Sequence, residues 1–331
     1  MKRFVILVLA LAIILTGCGA GRSIGSTIFA MDTYMTLKVF GSEREAALEA
    51  AEAEIHRLDR LLSISSQTGE VYAVNTAGGG EVGAEVSALL TAAKEVHERT
   101  DGAFDITVLP VMELWGFTSG EYTVPAPDEL EEALRLVDGE SVELSGNTVT
   151  LKNGVRIDLG GIAKGYTSDR VTGIMRDMGV TSAIVTLGGN VQALGSKPDG
   201  SDWKVAIRDP ANEGGTVGVI SVSDMAVVTS GGYERYFEEA GRRYHHIIDP
   251  ATGFPAETGL ASVTIVCADG ITADALSTAL FVMGLDAAES FWESGYYDFE
   301  AVFVTDTGEI YITAGLESRF EAESFTVLGR K

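Results

Sequence analysis

Cysteine is almost missing from this chain: two in 331 residues, Cys18 and Cys267. Basic residues are also few, 24 Lys and Arg against 48 Asp and Glu, a formal net charge of −24, and only four histidines occur. The charge deficit makes nucleic acid an unsuitable partner, because binding there depends on neutralising phosphates. It does not bar an anionic small ligand. Charges beyond a Debye length of about 8 Å are screened, and local cations then decide. No long linker, low-complexity block or internal repeat follows Ser26. Residues 26–331 therefore read as one continuous folded unit.

The N-terminus carries what the rest lacks. Met1-Lys2-Arg3 precedes an apolar run from Phe4 to Leu15, followed by Thr16, Gly17 and Cys18. A basic start, a short hydrophobic stretch and small residues before a cut describe a secretory signal over residues 1–17. The run falls short of the ~20 residues that span a bilayer. A Cys directly after Leu15-Thr16-Gly17 is the lipobox pattern of bacterial lipoproteins, so Cys18 is expected to be diacylated and to become the mature N-terminus. Two or more acyl chains give stable anchoring. The expected location is extracytoplasmic, on a bacterial membrane. Cleavage leaves 314 residues and a formal charge of −26. Residues 18–25 read as a lipidated end and flexible tether. Cys267 is left without a partner, so stability must come from the core, and 46% hydrophobic residues can supply a large one.

Hydrophobic spacing predicts a strand over Ile28 to Phe40, a helix with Ala51, Ile55, Leu58 and Leu62 on one face, and another with Val86, Leu89, Leu90, Ala93 and His97. Pro127 opens a third helix, Asp128 to Val137. Short strands are expected from Val142 to Leu159 around an Asn153-Gly154 turn, then a helix from Gly161 to Met178. Ala183–Leu187, Trp203–Ile207, Val217–Val222 and Ser262–Cys267 read as strands. Asp274–Met283 reads as a helix, and Ala301–Thr305 with Ile310–Thr313 as a closing strand pair. Helices in blocks between blocks of strands favour an α+β fold with largely antiparallel sheets and packed helices.

Five places could carry chemistry. Gly160 and Gly161 join a predicted strand to a helix, letting backbone approach a ligand and offering helix-start N–H groups to an anion, with Lys164 adding positive charge. A tight strand–helix joint explains the same residues about as well. Thr186 to Asn190 repeats the device, and a simple Gly-rich turn accounts for it. Asp105 lies among apolar neighbours and needs a specific partner, which capping a turn would supply. His245 and His246 stand at the end of a predicted strand before an Asp249-Pro250 turn. Alternation sends only one of them to any given side, and an imidazole titrating near 6.5 is the usual base at neutral pH. A structural pair is the commoner reading, and His56 and His97 read as structural. Asp274 and Thr278 share a helix face. Their oxygens suit Mg²⁺, while capping by Asp274 is the simpler alternative.

Together these segments resemble the ApbE family of flavin transferases, the FAD:protein FMN transferases. The likeness runs through Ala30 to Tyr34, Leu61 to Ser63, Thr100 to Asp105, Asp158 to Gly165, Leu187 to Asn190, Thr229 to Gly231, His246 to Pro250 and Ala273 to Thr278. It implies an ApbE-like, T-fold-like architecture and a site for FAD built by Met31, Leu61, Leu62, Ser63, Asp105, Lys164, His246 and Ile247. It also implies Mg²⁺ held by the Ala163 carbonyl, Asp274 and Thr278, with His246 as base. FMN would pass from FAD to a threonine, or less often a serine, of a client redox protein, releasing AMP. One departure stands out: many relatives read Met-Ser-Thr-Tyr where this chain has Leu62-Ser63-Ile64-Ser65. The alternatives are a Mg²⁺-dependent hydrolase giving FMN and AMP, a non-catalytic flavin-binding lipoprotein and a solute-binding lipoprotein.

Overall fold

The computed structural model describes residues 21–329, so Cys18 and the signal lie outside the described residues. Nine strands form the central sheet, and their order in space is their order in the chain: Ser23–Ala30, Thr33–Phe40, Ala183–Leu187, Asn190–Leu194, Ala226–Gly231, Leu260–Cys267, Glu300–Thr305, Ile310–Thr313 and Thr326–Leu328. Every neighbouring pair is antiparallel except the last. The expected α+β class holds. Everything else is inserted between strands. Between Phe40 and Ala183 come helices α1 (Arg44–Leu62), α2 (Glu70–Ala77), α3 (Ala84–Arg99), α4 (Leu109–Leu114), α5 (Pro127–Leu134) and α6 (Ala163–Asp177). A small sheet of Gly79–Glu81, Thr148–Leu151 and Val142–Ser145 lies among them. Between Cys267 and Glu300 come α7 (Gly270–Met283) and α8 (Leu285–Ser294).

Period-2 alternation divides the sheet into two faces. Val228, Ile265, Ala301 and Phe303 face a core shared with α3 and α7, and Met35, Leu37, Val39 and Val185 face α1 and α6. Val227, Val266 and Val302 point the other way, onto Trp203, Val205, Ile207 and Ile220 of a second, three-stranded sheet. The predicted faces of α1 and α3 are buried, apart from His97, whose Nδ1 lies 3.0 Å from the Phe104 carbonyl. This leaves His97 in a structural place.

Several expectations need correction. Ile28 to Phe40 is two strands, because Met31 and Asp32 both take positive φ (48° and 57°) and turn the chain. Ser23, Ile24 and Gly25 pair with Phe40, Val39 and Lys38, so these three belong to the sheet and not to a tether. In the 142–159 region the strands meet through Gly146-Asn147, while Asn153-Gly154 turns into an extended, unpaired segment. Helix α5 stops at Leu134, and α7 starts at Gly270, four residues before Asp274. The strand pair at Ile310–Thr313 does not close the sheet, since Thr326–Leu328 adds in parallel beyond it.

Candidate functional site

Two tight turns mark one end of the sheet. The Met31-Asp32 turn has the double positive φ of a type I′ hairpin without the usual Asn-Gly, a conformation that costs a non-glycine residue of order 1 kcal/mol or more. Its position is fixed from two sides: the Met31 N–H donates to Asp59 Oδ1 of α1 (2.9 Å), and Thr167 Oγ1 of α6 lies 3.7 Å from Met31 Sδ. Beside it, Gly188 and Gly189 turn the next hairpin with φ of 55° and 97°. A side chain on Gly188 would meet Thr33 at 2.6 Å, so glycine lets the two turns pack together. Asn190 follows, 2% exposed, and its Nδ2 has no hydrogen-bond partner among the described residues. A buried donor left unpaired costs roughly 1–3 kcal/mol, which a bound acceptor would recover.

The wall behind the turns is the junction of α6 and α7. Gly165 and Gly270 let these helices touch, since a Cβ on Gly165 would lie 2.1 Å from the Gly270 carbonyl oxygen and 2.8 Å from Asp274 Cβ. Asp269 caps α7, accepting from the Thr272 N–H at 2.9 Å. The capping alternative for Asp274 therefore fails. Asp274 sits within the helix, 3% exposed, where its Oδ2 accepts from the Gly165 N–H (2.8 Å) and its Oδ1 faces the Lys164 ammonium at 3.6 Å. Lys164 also donates to the Gly160 carbonyl at 3.2 Å. The Thr278 hydroxyl, one turn on, lies 3.2 Å from Ser230 Oγ, which itself meets Ser277 Oγ at 2.8 Å. The Ala163 carbonyl accepts from Thr167 Oγ1 at 2.7 Å.

The helix start is less open to an anion than expected. Gly160 N–H donates to Asp158 Oδ1, Ile162 and Ala163 N–H to the Leu159 carbonyl, and Gly165 N–H to Asp274. Protein acceptors thus take these four N–H groups, which shifts the burden of holding an anion onto Lys164.

The second wall ends in a two-stranded ribbon, Tyr236–Glu239 with Arg242–His245. The two histidines then part. His245 Nε2 lies 3.1 Å from the Ala256 carbonyl, and its Nδ1 accepts from the Ile247 N–H at 3.3 Å. Its ring packs edge-on against Phe281. Both nitrogens are used, and burial lowers its pKa. His246 places Nδ1 3.2 Å from the Arg235 carbonyl, an acceptor, so Nδ1 carries the hydrogen and Nε2 keeps a free lone pair. Burial, then the Arg235 guanidinium, pulls its pKa down to about 3. The expected titration between pH 6 and 7 is thereby corrected: the free protein holds this imidazole neutral across the neutral range. Lys164 contributes to the same depression, which puts the ammonium and the imidazole in one electrostatic neighbourhood.

Other expected site residues are engaged differently. Leu62 is 6% exposed and belongs to the core, while Leu61 is partly buried against it. Ser63 Oγ accepts from the Ser65 and Ser66 N–H groups, both at 3.1 Å. Asp105 organises a turn: Oδ1 accepts from Thr107 N–H and Oγ1 (2.7 and 2.6 Å), and Oδ2 from Gly139 N–H (3.1 Å). Ile247 is buried, and its carbonyl accepts from Ala256 N–H. Three residues escaped the sequence reading as individuals. Asp158 has its pKa raised by burial against the pull of Gly160, Arg235 and Lys164. Arg235 donates to the Phe117 carbonyl, and Asn190 carries the unpaired donor described above. Asp158 and Asn190 stood inside quoted motifs, while nothing short of the fold brings Arg235 back to His246.

The ApbE family model matches residues 31–303. The chain belongs to the ApbE family. Among its relatives is the FAD:protein FMN transferase of Treponema pallidum, 36% identical over 84% of this chain and 82% of that protein. A protein of the same name from Klebsiella pneumoniae is 32% identical over 88% and 92%. Similar solved structures include the ApbE protein of Thermotoga maritima, with TM-score 0.85 and 36% identity over 90% of this chain and 99% of that one. The Pseudomonas stutzeri flavinyl transferase ApbE has TM-score 0.81 and 31% identity over 92% and 98%. The expected architecture is thus that of ApbE.

Proposed function

We propose that this chain moves the FMN half of FAD onto a threonine or serine hydroxyl of a client redox protein and releases AMP. The observation that carries this reading is the pairing of His246, its Nδ1 locked and its Nε2 free, with the Lys164–Asp274 wall of an ApbE fold. In the transfer, the client hydroxyl oxygen bonds to the phosphorus of the FMN half, the bond from that phosphorus to the bridging oxygen breaks, and AMP leaves with that oxygen. His246 Nε2 takes the hydroxyl proton; its lowered pKa keeps the lone pair free at neutral pH but makes it a weak base, so its contribution lies toward the lower end of roughly 10² to 10⁴ in rate. Lys164 holds the pyrophosphate, and Met31, fixed by Asp59 and Thr167, borders the flavin end.

The donors around Asp274 fit Mg²⁺. Among the described residues no group of three His, Cys, Asp or Glu is placed to hold a metal ion; the donors of this reading are one carboxylate, Asp274, with the Ala163 carbonyl and the Thr278 hydroxyl. Hard oxygens with few charges suit an ion that keeps its waters and shares phosphate oxygens. When bound, Mg²⁺ neutralises the pyrophosphate and stabilises the departing AMP. The chain acts outside the cytoplasm, held to the membrane by lipid on Cys18. Cys18→Ser should take up no radiolabelled fatty acid, and labelling of that variant would remove the anchor from the account.

Mass spectrometry of a client incubated with enzyme, FAD and Mg²⁺ tests the chemistry. One FMN less water should appear on a single threonine, with AMP in equal amount. Free FMN and AMP without labelling of a verified client would replace the transferase with a hydrolase.

A further inference from the structure

Asp274 is a buried carboxylate that needs a cation, and without a metal its cation is Lys164. Oδ2 is anchored by the Gly165 N–H, which leaves Oδ1 as the oxygen that turns toward a positive charge, and the Lys164 ammonium lies 3.6 Å from it. The same ammonium is 3.2 Å from the Gly160 carbonyl, over the double-glycine joint. Its side chain is a quarter exposed and hangs on four flexible methylenes, so it can move without disturbing α6. A metal ion at Oδ1 and an ammonium in contact with the same oxygen cannot coexist at low cost, because like charges a few Å apart in a dry site repel strongly.

The geometry points to Lys164 as a place-holder cation that the metal displaces from Asp274 and that then completes the anion site at Gly160–Gly161. The inference rests on the metal site proposed above. It gives Lys164 two sets of partners. In the metal-free protein it neutralises Asp274 and is withheld from phosphate. With the metal in place it gives up Asp274 but stays at the joint, where protein acceptors have already taken the N–H groups of Gly160, Ile162, Ala163 and Gly165, so that the freed ammonium is the donor an anion most needs. Metal and FAD should therefore strengthen each other's binding, reciprocally, and part of that coupling should run through Lys164.

The test reads the amine itself. The full-length protein is pulsed with acetic anhydride, and acetylation of Lys164 is measured by mass spectrometry in metal-free protein, with saturating Mg²⁺ alone, and with Mg²⁺ and FAD. Release from Asp274 should raise the Lys164 rate at least threefold on adding Mg²⁺ alone, and FAD should lower it again. Calorimetry with Mg²⁺ alone supplies the second arm: Lys164→Met, which removes the competitor, should bind the ion about tenfold more tightly than wild type. An unchanged Lys164 rate at saturating Mg²⁺, or weaker Mg²⁺ binding by Lys164→Met, overturns the exchange. Asp274→Asn separates this failure from that of the metal site. If the variant binds Mg²⁺ as wild type does, the site is elsewhere and both readings fall. If it loses Mg²⁺ while Lys164 in the wild type ignores the ion, only the exchange falls.

Discussion

The two sides of the candidate site are built on opposite plans. The α6–α7 wall is closely packed: glycine meets glycine, Asp274 is buried, and its hydrogen bond runs from one helix to the other. The ribbon wall is a two-stranded piece outside the main sheet, with Tyr236, Arg242 and Arg243 exposed, and His246 follows its last strand. Rigid elements suit holding a charged ligand, while the ribbon sets the half-buried His246 at the end of an exposed strand pair. On the proposed reading, binding falls to the helices and chemistry to the ribbon.

The largest effect should follow from Asp274. Because the carboxylate is buried and bonded to the Gly165 N–H, Asp274→Ala would damage the fold as well as the proposed metal site, contrary to what an exposed carboxylate would do. Asp274→Asn keeps an acceptor for that N–H and removes the charge. Transfer should fall by about 10³ while the melting temperature shifts by only a few degrees. A Mg²⁺ dependence of rate unchanged from wild type would take Asp274 out of the site. Next in size is Gly165→Ala, whose new methyl would sit 2.1 Å from a backbone oxygen. Forcing the helices apart should cost on the order of 3 kcal/mol in urea unfolding, whereas neutral behaviour would mean that the wall is looser than described.

The ribbon's own structural residue should respond more mildly. His245→Ala loses two hydrogen bonds and the Phe281 contact, so it should cost about 1–2 kcal/mol of stability and leave the transfer rate within a few-fold. A hundredfold loss of rate in a folded variant would reverse the roles of the two histidines. The smallest effect concerns Asp169 of α6, which accepts from the Gly270 and Ile271 N–H groups at the start of α7. Burial, then Asp269, raises its pKa to about 7. A raised carboxylate contributes stability at low pH that is lost as pH rises through about 7, because the folded protein then gives up a proton it held more tightly than the unfolded chain. Asp169→Asn keeps the acceptor and removes the titration. Its stability should gain on wild type between pH 6 and pH 8 by on the order of 1 kcal/mol, read as a rise in relative melting temperature. A gap that stays constant with pH would show that Asp169 does not titrate there.

The sequence exposed the walls unequally. The buried face of α1, the Gly160–Gly161 joint and the Asp274–Thr278 spacing were legible because helical periodicity and neighbouring residues encode them. The Met31-Asp32 turn was not, since neither residue is the glycine or asparagine that announces a type I′ hairpin. The Ser23–Gly25 pairing was hidden because small polar residues suit a tether and an edge strand alike. The Lys164 charge and the Phe117 ring beside His246 come from distant positions, which no local pattern reports. Leu62 reads as core from helical spacing, and the structure places its side chain there.

One pair of numbers tests the division of labour most directly: the dissociation constant for FAD with Mg²⁺ and the single-turnover transfer rate, both measured for His246→Ala. An atom that only accepts a proton in the transition state contributes little to ground-state binding. The account predicts FAD affinity within about threefold of wild type and a transfer rate lower by a factor toward the lower end of about 10² to 10⁴. It also predicts a wild-type kcat/KM without a His246 step between pH 5.5 and 8, because burial holds that imidazole neutral. A His246→Ala protein that labels its client at the wild-type rate would contradict the account, and so would one that transfers slowly only because it no longer binds FAD.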